Sequence, residues 1–411
     1  MGARLLNTTA PSRVVSYAEA SRIVREHADS LAPSRAPQLV DLLSTLGMVL
    51  AEQVRADRDQ PPFARSTRDG FACRADDLEG GALVEVIGSL RAGDAAAIEV
   101  TTGTAIEIMT GAPVPAGADC VVMLEHVERE ADRLKLAPGR SIAPDENIVP
   151  MGAEARAGAV ILPAGTRLFP AQLAAAAAFG AAHLSVFARP RVAIVATGDE
   201  LVEVDQKPLP QQIRNSNSYS LAAQVLAAGA EPVRLPIARD ERSHLEGIIR
   251  TALESDLLLL SGGVSMGKYD LVEEVLLLLG AEFFFTGALI QPGKPVVFGK
   301  LGKLYFFGLP GNPVSTMVTF SLFVEPLLGA LCGDAGRAPR FAQGALASDV
   351  HVKTGLTRFL PARLRPDLTV EPVSWQGSGD LANTSRSNCF LVVPADRPLL
   401  AAGETVTILL A

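Results

Sequence analysis

The chain is poor in cysteine, histidine and aromatic side chains. Its four cysteines (Cys73, Cys120, Cys332 and Cys389) stand far apart in 411 residues. None forms a Cys-x-x-Cys pair, so the spacing predicts neither a zinc site nor a disulfide framework. The five histidines are scattered singly. That argues against a histidine metal cluster or a histidine-based triad. Positive charge is not in excess: the formal net charge is −8. This speaks against a general nucleic-acid partner or an anionic membrane surface. Long apolar runs are absent as well. Stretches such as Leu257–Leu260 and Val275–Leu279 fall far short of the ~20 residues of a membrane span. The first residues show no apolar segment followed by a cleavage site. The resulting expectation is a soluble, cytoplasmic protein in a reducing compartment, with no membrane or nucleic-acid partner.

What the chain does have is apolar content for a real core, 48% hydrophobic against 20% charged. Its length allows roughly two to four domains. The stretch Asp256-Leu-Leu-Leu-Leu-Ser-Gly-Gly-Val-Ser-Met-Gly-Lys-Tyr-Asp270 organises the rest. Leu257–Leu260 reads as a strand buried on both faces of a parallel sheet. Ser261, Gly262 and Gly263 turn the chain, Gly267 frees it again, and a helical pattern follows from about Tyr269 to Leu279. A glycine loop between strand and helix offers backbone N–H groups to an anion. Asp270 stands where it can hold a metal beside a phosphate. The same residues also fit a plain strand-to-helix turn with a capping aspartate. The loop is neither a Walker motif nor a GxGxxG fingerprint.

Along the chain, Ser16 with Glu19 predicts a capped helix from Tyr17 to about Ala28. A second helical pattern covers Gln38–Leu46 and ends at Gly47. From Phe71 to about Val149 the pattern is β, with expected strands at Leu83–Ile87, Ala96–Val100, Ala105–Met109, Val121–Leu124 and Arg133–Leu136. Short strands at that spacing suggest a small inserted β domain. Asp69-Gly70 and Thr110-Gly-Ala-Pro mark loops there, each also explicable as a simple turn. Pro170 begins an alanine-rich helix closed by Gly180. From Arg191 to Leu331 strands alternate with helices, which predicts βαβ units on an open parallel sheet. Ligands of such sheets bind beyond the carboxyl ends of the strands. Four loops (197–200, 238–241, 261–270 and 308–313) would gather there, bringing Asp199, Glu200, Asp240 and Asp270. Carboxylates beside glycine loops suit Mg²⁺ with a phosphate. Lys294 in Gln291-Pro-Gly-Lys-Pro295 is a candidate anion contact. Asn312 and Pro313 predict a strong helix start. Residues 333–343 read as linker and 344–411 as β strands. Trp375-Gln-Gly-Ser-Gly-Asp380 is the one loop there with site-like content, or a simple flexible turn.

Ser66-Thr-Arg-Asp-Gly-Phe-Ala72, Ile108-Met-Thr-Gly-Ala-Pro-Val-Pro115, Ala196-Thr-Gly-Asp-Glu-Leu201, Leu260-Ser-Gly-Gly-Val-Ser-Met-Gly267 with Asp270, Pro292-Gly-Lys-Pro295 and Gly308-Leu-Pro-Gly-Asn-Pro-Val-Ser315 occur in that order. Together they resemble the molybdopterin molybdenumtransferase family, that of MoeA and the gephyrin E domain, over nearly the whole chain. The resemblance implies an elongated homodimer of α/β multidomain subunits with four domains each: a support domain (16–60 and 150–187), an inserted β domain (61–149), an α/β molybdopterin-binding domain (188–332) similar to the molybdopterin adenylyltransferase fold, and a C-terminal β domain (340–411). It implies insertion of molybdate into adenylylated molybdopterin with release of AMP and Mg²⁺ as cofactor, at a site between the α/β domain of one subunit and the β domain of the other. A molybdopterin adenylyltransferase and apo-molybdoenzymes are the further partners it suggests.

Carried over by position, Asp69, Thr110 and Glu200 would position molybdate or an attacking water. Asp240 and Asp270 would serve the metal. Ser261, Gly262, Gly263 and Ser265 would hold a phosphate, with Lys294 as cation, and Pro310, Gly311, Asn312 and Pro313 would line the pterin or nucleotide pocket. The chain departs from the family pattern at Arg68 (usually Met), Gln291 (usually Lys), Pro361 (usually Arg), Asn383 (usually Ser) and Glu154 (usually Asp). The missing Lys and Arg belong to positions the family uses for molybdate, for which Arg68, Arg358, Arg363 or Arg386 could substitute. Two other readings stand beside the transferase. One is a non-catalytic molybdopterin or molybdenum-cofactor carrier, and the other an unrelated Mg²⁺-dependent phosphotransferase.

Overall fold

The computed structural model describes residues 13–263 and 271–410. The sequence expectations for Ser265, Gly267 and Asp270 therefore lie outside the described residues. Within residues 191–309 a six-stranded sheet has the spatial order Glu231–Arg234, Arg191–Ala196, Leu257–Ser261, Leu304–Leu309, Val297–Leu301, Glu282–Phe285. The first four strands run parallel. The last two are added antiparallel. The sheet is thus mixed rather than wholly parallel. The cause is local: Leu301 pairs with Leu304 across Gly302-Lys303, with Gly302 at φ +61°. A two-residue connection makes a hairpin and leaves no chain for a crossover helix.

Leu257–Leu260 are completely buried, as the apolar run predicts. Their alternation sorts them between two cores. Leu257 and Leu259 join Val192, Ile194, Leu221, Val225 and Phe307 on one face. Leu258 and Leu260 join Leu245, Ile249, Val272 and Phe306 on the other. Period-two geometry buries both faces because helices cover both. The covering helices are Asn217–Ala227, Arg242–Ala252, Leu271–Leu278 and the run from Pro313 to Leu331. That last run, 19 residues, is apolar enough to cross a membrane, but 83% of its apolar window is buried inside the protein. It is a core helix, with a π turn at Phe320–Val324. Pro313 is its first residue as expected, yet the Asn312 side chain makes no capping bond. The Thr316 hydroxyl instead donates to Pro310 O at 2.7 Å and Asn312 O at 3.0 Å.

The first helix is Tyr17–Asp29, with Ser16 Oγ accepting from Glu19 N at 3.1 Å. Its buried Ala20, Ile23, Val24 and Ala28 join Leu327, Leu328 and Leu331 in one core. The helix expected over Gln38–Leu46 is not present. Pro37–Asp41 is a strand, antiparallel to His183–Phe187, followed by a single 3₁₀ turn at Leu42–Thr45. Leu39 and Leu43 in this segment are 73% and 76% exposed. Strand pairing overrides local helical preference here. The β insert is a six-stranded sheet ordered Cys120–Met123, Gly70–Cys73, Thr104–Ile108, Val84–Leu90, Arg133–Leu136, Val127–Glu130. Ala96–Val100 is loop, not strand, and only Val100 of it is buried. At the C-terminus, Thr357–Leu364 pairs with both Thr369–Pro372 and Cys389–Val393, so that sheet closes on itself. Phe341–Leu346 is one of its strands, paired to Thr405–Leu410. The sequence stretch read as linker therefore ends three residues earlier than expected.

Asp256 ties the start of the α/β sheet to the N-terminal segment. Its Oδ2 accepts from Arg35 Nε and from Arg191 N, each at 2.7 Å, and its side chain is 15% exposed. Asp256→Ala strands both donors. It should cost about 1–3 kcal/mol of stability, read as a lower urea midpoint by circular dichroism; an unchanged midpoint contradicts the assignment.

Candidate functional site

Three parallel strands, 191–196, 257–261 and 304–309, end level with one another. Beyond their carboxyl ends the backbones are stitched together. Thr197 N donates to Ser261 O at 3.0 Å, Gly262 N to Leu309 O at 3.2 Å, and Gly198 N to Ala238 O at 3.2 Å. Gly262 has φ +92°, and a Cβ there would lie 2.6 Å from Thr197 O. Only glycine allows this approach. A cavity of about 320 Å³ opens at this edge. Its lining includes Thr197, Glu200, Arg214, Asn217, Ser261 and Gly262, together with Gly311–Pro313 and, from the C-terminal sheet region, Gly379 and Leu381.

Each polar group is held by local structure. The Leu201–Val202 and Ile213–Arg214 strands pair in parallel, and Ile213 N donates to Glu200 O at 2.9 Å. This small ribbon carries both Glu200 and Arg214 to the cavity. Glu200 folds back over Gly198, where a Cβ would collide with its carboxylate. Arg214 Nε donates to Gln206 O at 3.2 Å. Asn217, in the first turn of its helix, donates Nδ2 to Ser261 Oγ and to Gly311 O, both at 2.8 Å. Val314 N donates to Ser378 O at 3.0 Å, which seats the 377–381 loop on the rim.

The sequence-derived site residues divide into groups. Glu200, Ser261, Gly262, Gly311, Asn312 and Pro313 meet at the cavity. Asp240 stands beside it: Thr197 Oγ1 donates to Asp240 Oδ1 at 3.3 Å, and Asp240 N donates to Asp199 Oδ1 at 3.3 Å. Gly263 follows at φ +64°, its Cβ position 3.0 Å from Thr197 Oγ1. Pro310 O is occupied by Thr316. Lys294 is exposed on the 291–296 loop, its carbonyl accepting from Ala288 N, and it does not line the cavity. Among the described residues no set of three His, Cys, Asp or Glu side chains converges on a metal position. Arg214, Asn217, Thr197, Gly379 and Leu381 were not singled out as site residues by sequence. The Asn215-Ser-Asn-Ser turn before a helix was the available signal for Asn217.

Asp69 and Thr110 form their own unit in the β insert and do not line the cavity. Asp69 Oδ1 accepts from Thr110 N at 2.7 Å and Thr110 Oγ1 at 2.8 Å. The backbone N–H and then the hydroxyl hold the Asp69 carboxyl below its usual range. At the altered family positions, Gln291 is exposed and lies in register with Arg358, whose Nη2 and Nε donate to Lys353 O at 2.8 and 3.1 Å. Pro361 is buried in its strand opposite Phe390. Asn383 donates Nδ2 to Asp380 Oδ2 at 2.7 Å. Arg65 pairs with Glu154 at 2.8 Å.

Models of known families cover this architecture in three consecutive parts. The MoeA N-terminal region (domain I and II) matches residues 15–180, a probable molybdopterin binding domain residues 193–330, and the MoeA C-terminal region (domain IV) residues 343–411. The molybdopterin-binding match spans the sheet whose strand ends build the cavity. The fold and site therefore define a protein of molybdenum cofactor biosynthesis. The chain is 35% identical to the molybdopterin molybdenumtransferase of Nostoc sp., covering 90% of this chain and 88% of that protein. It is 34% identical to the Bacillus subtilis enzyme of the same name, covering 90% and 89%. The molybdopterin biosynthesis MoeA protein of Pyrococcus horikoshii OT3 superposes with a TM-score of 0.81 at 30% identity, covering 97% of this chain and all of that one. The chain belongs to the molybdopterin molybdenumtransferase family.

Thr110→Val removes the hydroxyl donor and leaves the backbone donor. The Asp69 carboxyl should then titrate higher, towards the ordinary carboxylate range, in an NMR pH titration. Because its folded value is depressed, the stability this group contributes is present above the ordinary carboxylate range and lost as pH falls through the depressed value. In the variant that contribution is smaller and is exhausted at a higher pH. An unshifted Asp69 titration contradicts the hydrogen-bond account.

Proposed function

We propose that the protein inserts molybdate into adenylylated molybdopterin and releases AMP. The observation that carries this reading is the convergence of Glu200, Arg214, Asn217, Ser261 and the Gly262 and Gly311 backbones on one cavity at the strand ends. Such a pocket suits a phosphate-bearing ligand: it offers hydroxyl and amide donors, the Arg214 cation, and a helix N-terminus at Asn217. Ser261, Gly262 and Gly263, with Ser265, hold the phosphate. Gly311–Pro313, following Pro310, face the pterin or nucleotide. Asp240 and Asp270 hold Mg²⁺, which when bound offsets charge on the cleaved phosphoanhydride. Glu200 orients an attacking water or the molybdate.

Asp69 and Thr110 belong to the same chemistry through a second copy of the chain, and Lys294 supplies a further anion contact. In a homodimer the β insert of one protomer (61–149) meets the α/β domain (188–332) of its partner, while the 16–60 and 150–187 segments support both and 340–411 closes the rim. The reaction belongs in the cytoplasm, between a molybdopterin adenylyltransferase that supplies substrate and an apo-molybdoenzyme that takes the product. A second reading, a non-catalytic cofactor carrier, is favoured by one observation: Gln291 and buried Pro361 replace the cations usual in the family.

Asp69→Ala and Glu200→Ala should each lower AMP release by roughly 100-fold or more, the scale of a lost acid–base or positioning group, with unchanged melting temperatures. Mixing the two variants after mild dissociation should restore turnover, because each heterodimer then holds one complete site. Full activity in both single variants removes these roles. No recovery on mixing places the complete site in one chain.

A further inference from the structure

The side chain of Asn217 bridges two of the three strand-end loops. Its Nδ2 gives one hydrogen to Gly311 O and the other to Ser261 Oγ, both at 2.8 Å. A carbonyl only accepts, so Gly311 O fixes which end of the amide faces it. Turning the amide over would set oxygen against oxygen. The orientation in turn fixes the role of Ser261: its Oγ accepts from Asn217, and its own hydrogen remains to be donated. Among the described residues that hydroxyl donates to no protein atom. Ser261 is 2% exposed and lines the cavity. The Asn217 Oδ1 is itself buried without a partner among the described residues, so the amide is held by what it donates.

We infer that Asn217 is a positioning residue: it aims the Ser261 hydroxyl as a hydrogen-bond donor at an anionic phosphoryl oxygen in the cavity, and it locks the Ser261 and Gly311 loops at the spacing that oxygen needs. The inference deepens the proposed function and rests on the cavity being its phosphate site. Asn217 acts through Ser261 rather than by touching the ligand. A hydroxyl held as donor gains more from a charged acceptor than from a neutral one. A serine free to rotate loses that advantage to competing orientations.

The test is a double-mutant cycle on AMP binding, measured by titration calorimetry with the full-length chain. Asn217→Ala and Ser261→Ala should each weaken AMP about tenfold, and the double variant by about tenfold as well, because both act through one hydrogen bond. Asn217→Asp keeps the shape but can give no hydrogen to Gly311 O and takes the Ser261 hydrogen for itself; it should bind AMP at least as weakly as Asn217→Ala. If Asn217→Ala fails to fold, Asn217→Asp and Ser261→Ala carry the same comparison. Losses that multiply to about a hundredfold in the double variant, or wild-type affinity in Asn217→Asp, overturn the inference while the AMP site stands. A wild-type chain that binds no AMP overturns both the inference and the phosphate-site reading beneath it.

Discussion

Gly262 gives its N–H to Leu309 O at 3.2 Å on one side, and on the other its Cα faces Thr197 O so closely that a Cβ would stand 2.6 Å away. The whole candidate site depends on this packing of three strand ends. Parallel strands in register end at the same level, so their following loops must share one narrow edge. Here the first turn after the central strand lies in the left-handed region at both Gly262 and Gly263. That geometry brings Ser261 within reach of Asn217, and Asn217 within reach of Gly311. Side chains without glycine at 262 would push the loops apart and open the cavity to solvent.

The register itself is set by burial. Leu257–Leu260 alternate between two separate cores, and a one-residue slip would exchange every one of them. Asp256 fixes the entry to that strand from the opposite end, through Arg35 and Arg191 N. The central strand is thus pinned at both ends, apolar packing between them. The 19-residue run beginning at Pro313 adds a rigid wall, so the Gly311–Pro313 corner is carried by one of the most buried parts of the chain. By contrast, Glu200 and Arg214 sit on a two-stranded ribbon outside the main sheet. The glycine-rich strand-end loops are therefore built on the buried core, whereas Glu200 and Arg214 are carried on a small ribbon beside it.

Much of this was legible in the residues, and the reasons are specific. A four-leucine run closed by glycines has few folded solutions, and Arg133–Leu136 appears with the bounds its pattern gave. Ser16 with Glu19, and Pro170 and Pro313 at first helical positions, marked helix starts correctly. What failed had a tertiary cause. The Gln38–Leu46 segment has helical spacing, but its partner strand at 183–187 lies well over a hundred residues away and decides the matter. The mixed character of the main sheet turns on two residues, Gly302-Lys303. In the site, the loops that would gather were visible because their glycines and carboxylates punctuate strand ends. Asn217 was not, because its function lies in two contacts, to residues 44 and 94 positions away. The 377–381 loop was ambiguous for a related reason: Gly-Ser-Gly composition permits a rim or a plain turn, and only Val314 N on Ser378 O selects the rim.

The altered positions sharpen the functional question. Gln291 and Pro361 supply no charge, Arg358 is occupied by Lys353 O, and Asn383 by Asp380. Among the described residues, the cation that reaches the cavity is Arg214. An oxyanion of charge −2 needs cationic or several N–H partners in such a pocket. The most direct measurement is AMP release from adenylylated molybdopterin by the purified protein with Mg²⁺, with and without micromolar molybdate. The account predicts release that depends on molybdate. Binding of the adenylylated pterin with no molybdate-dependent release would contradict it and leave a carrier.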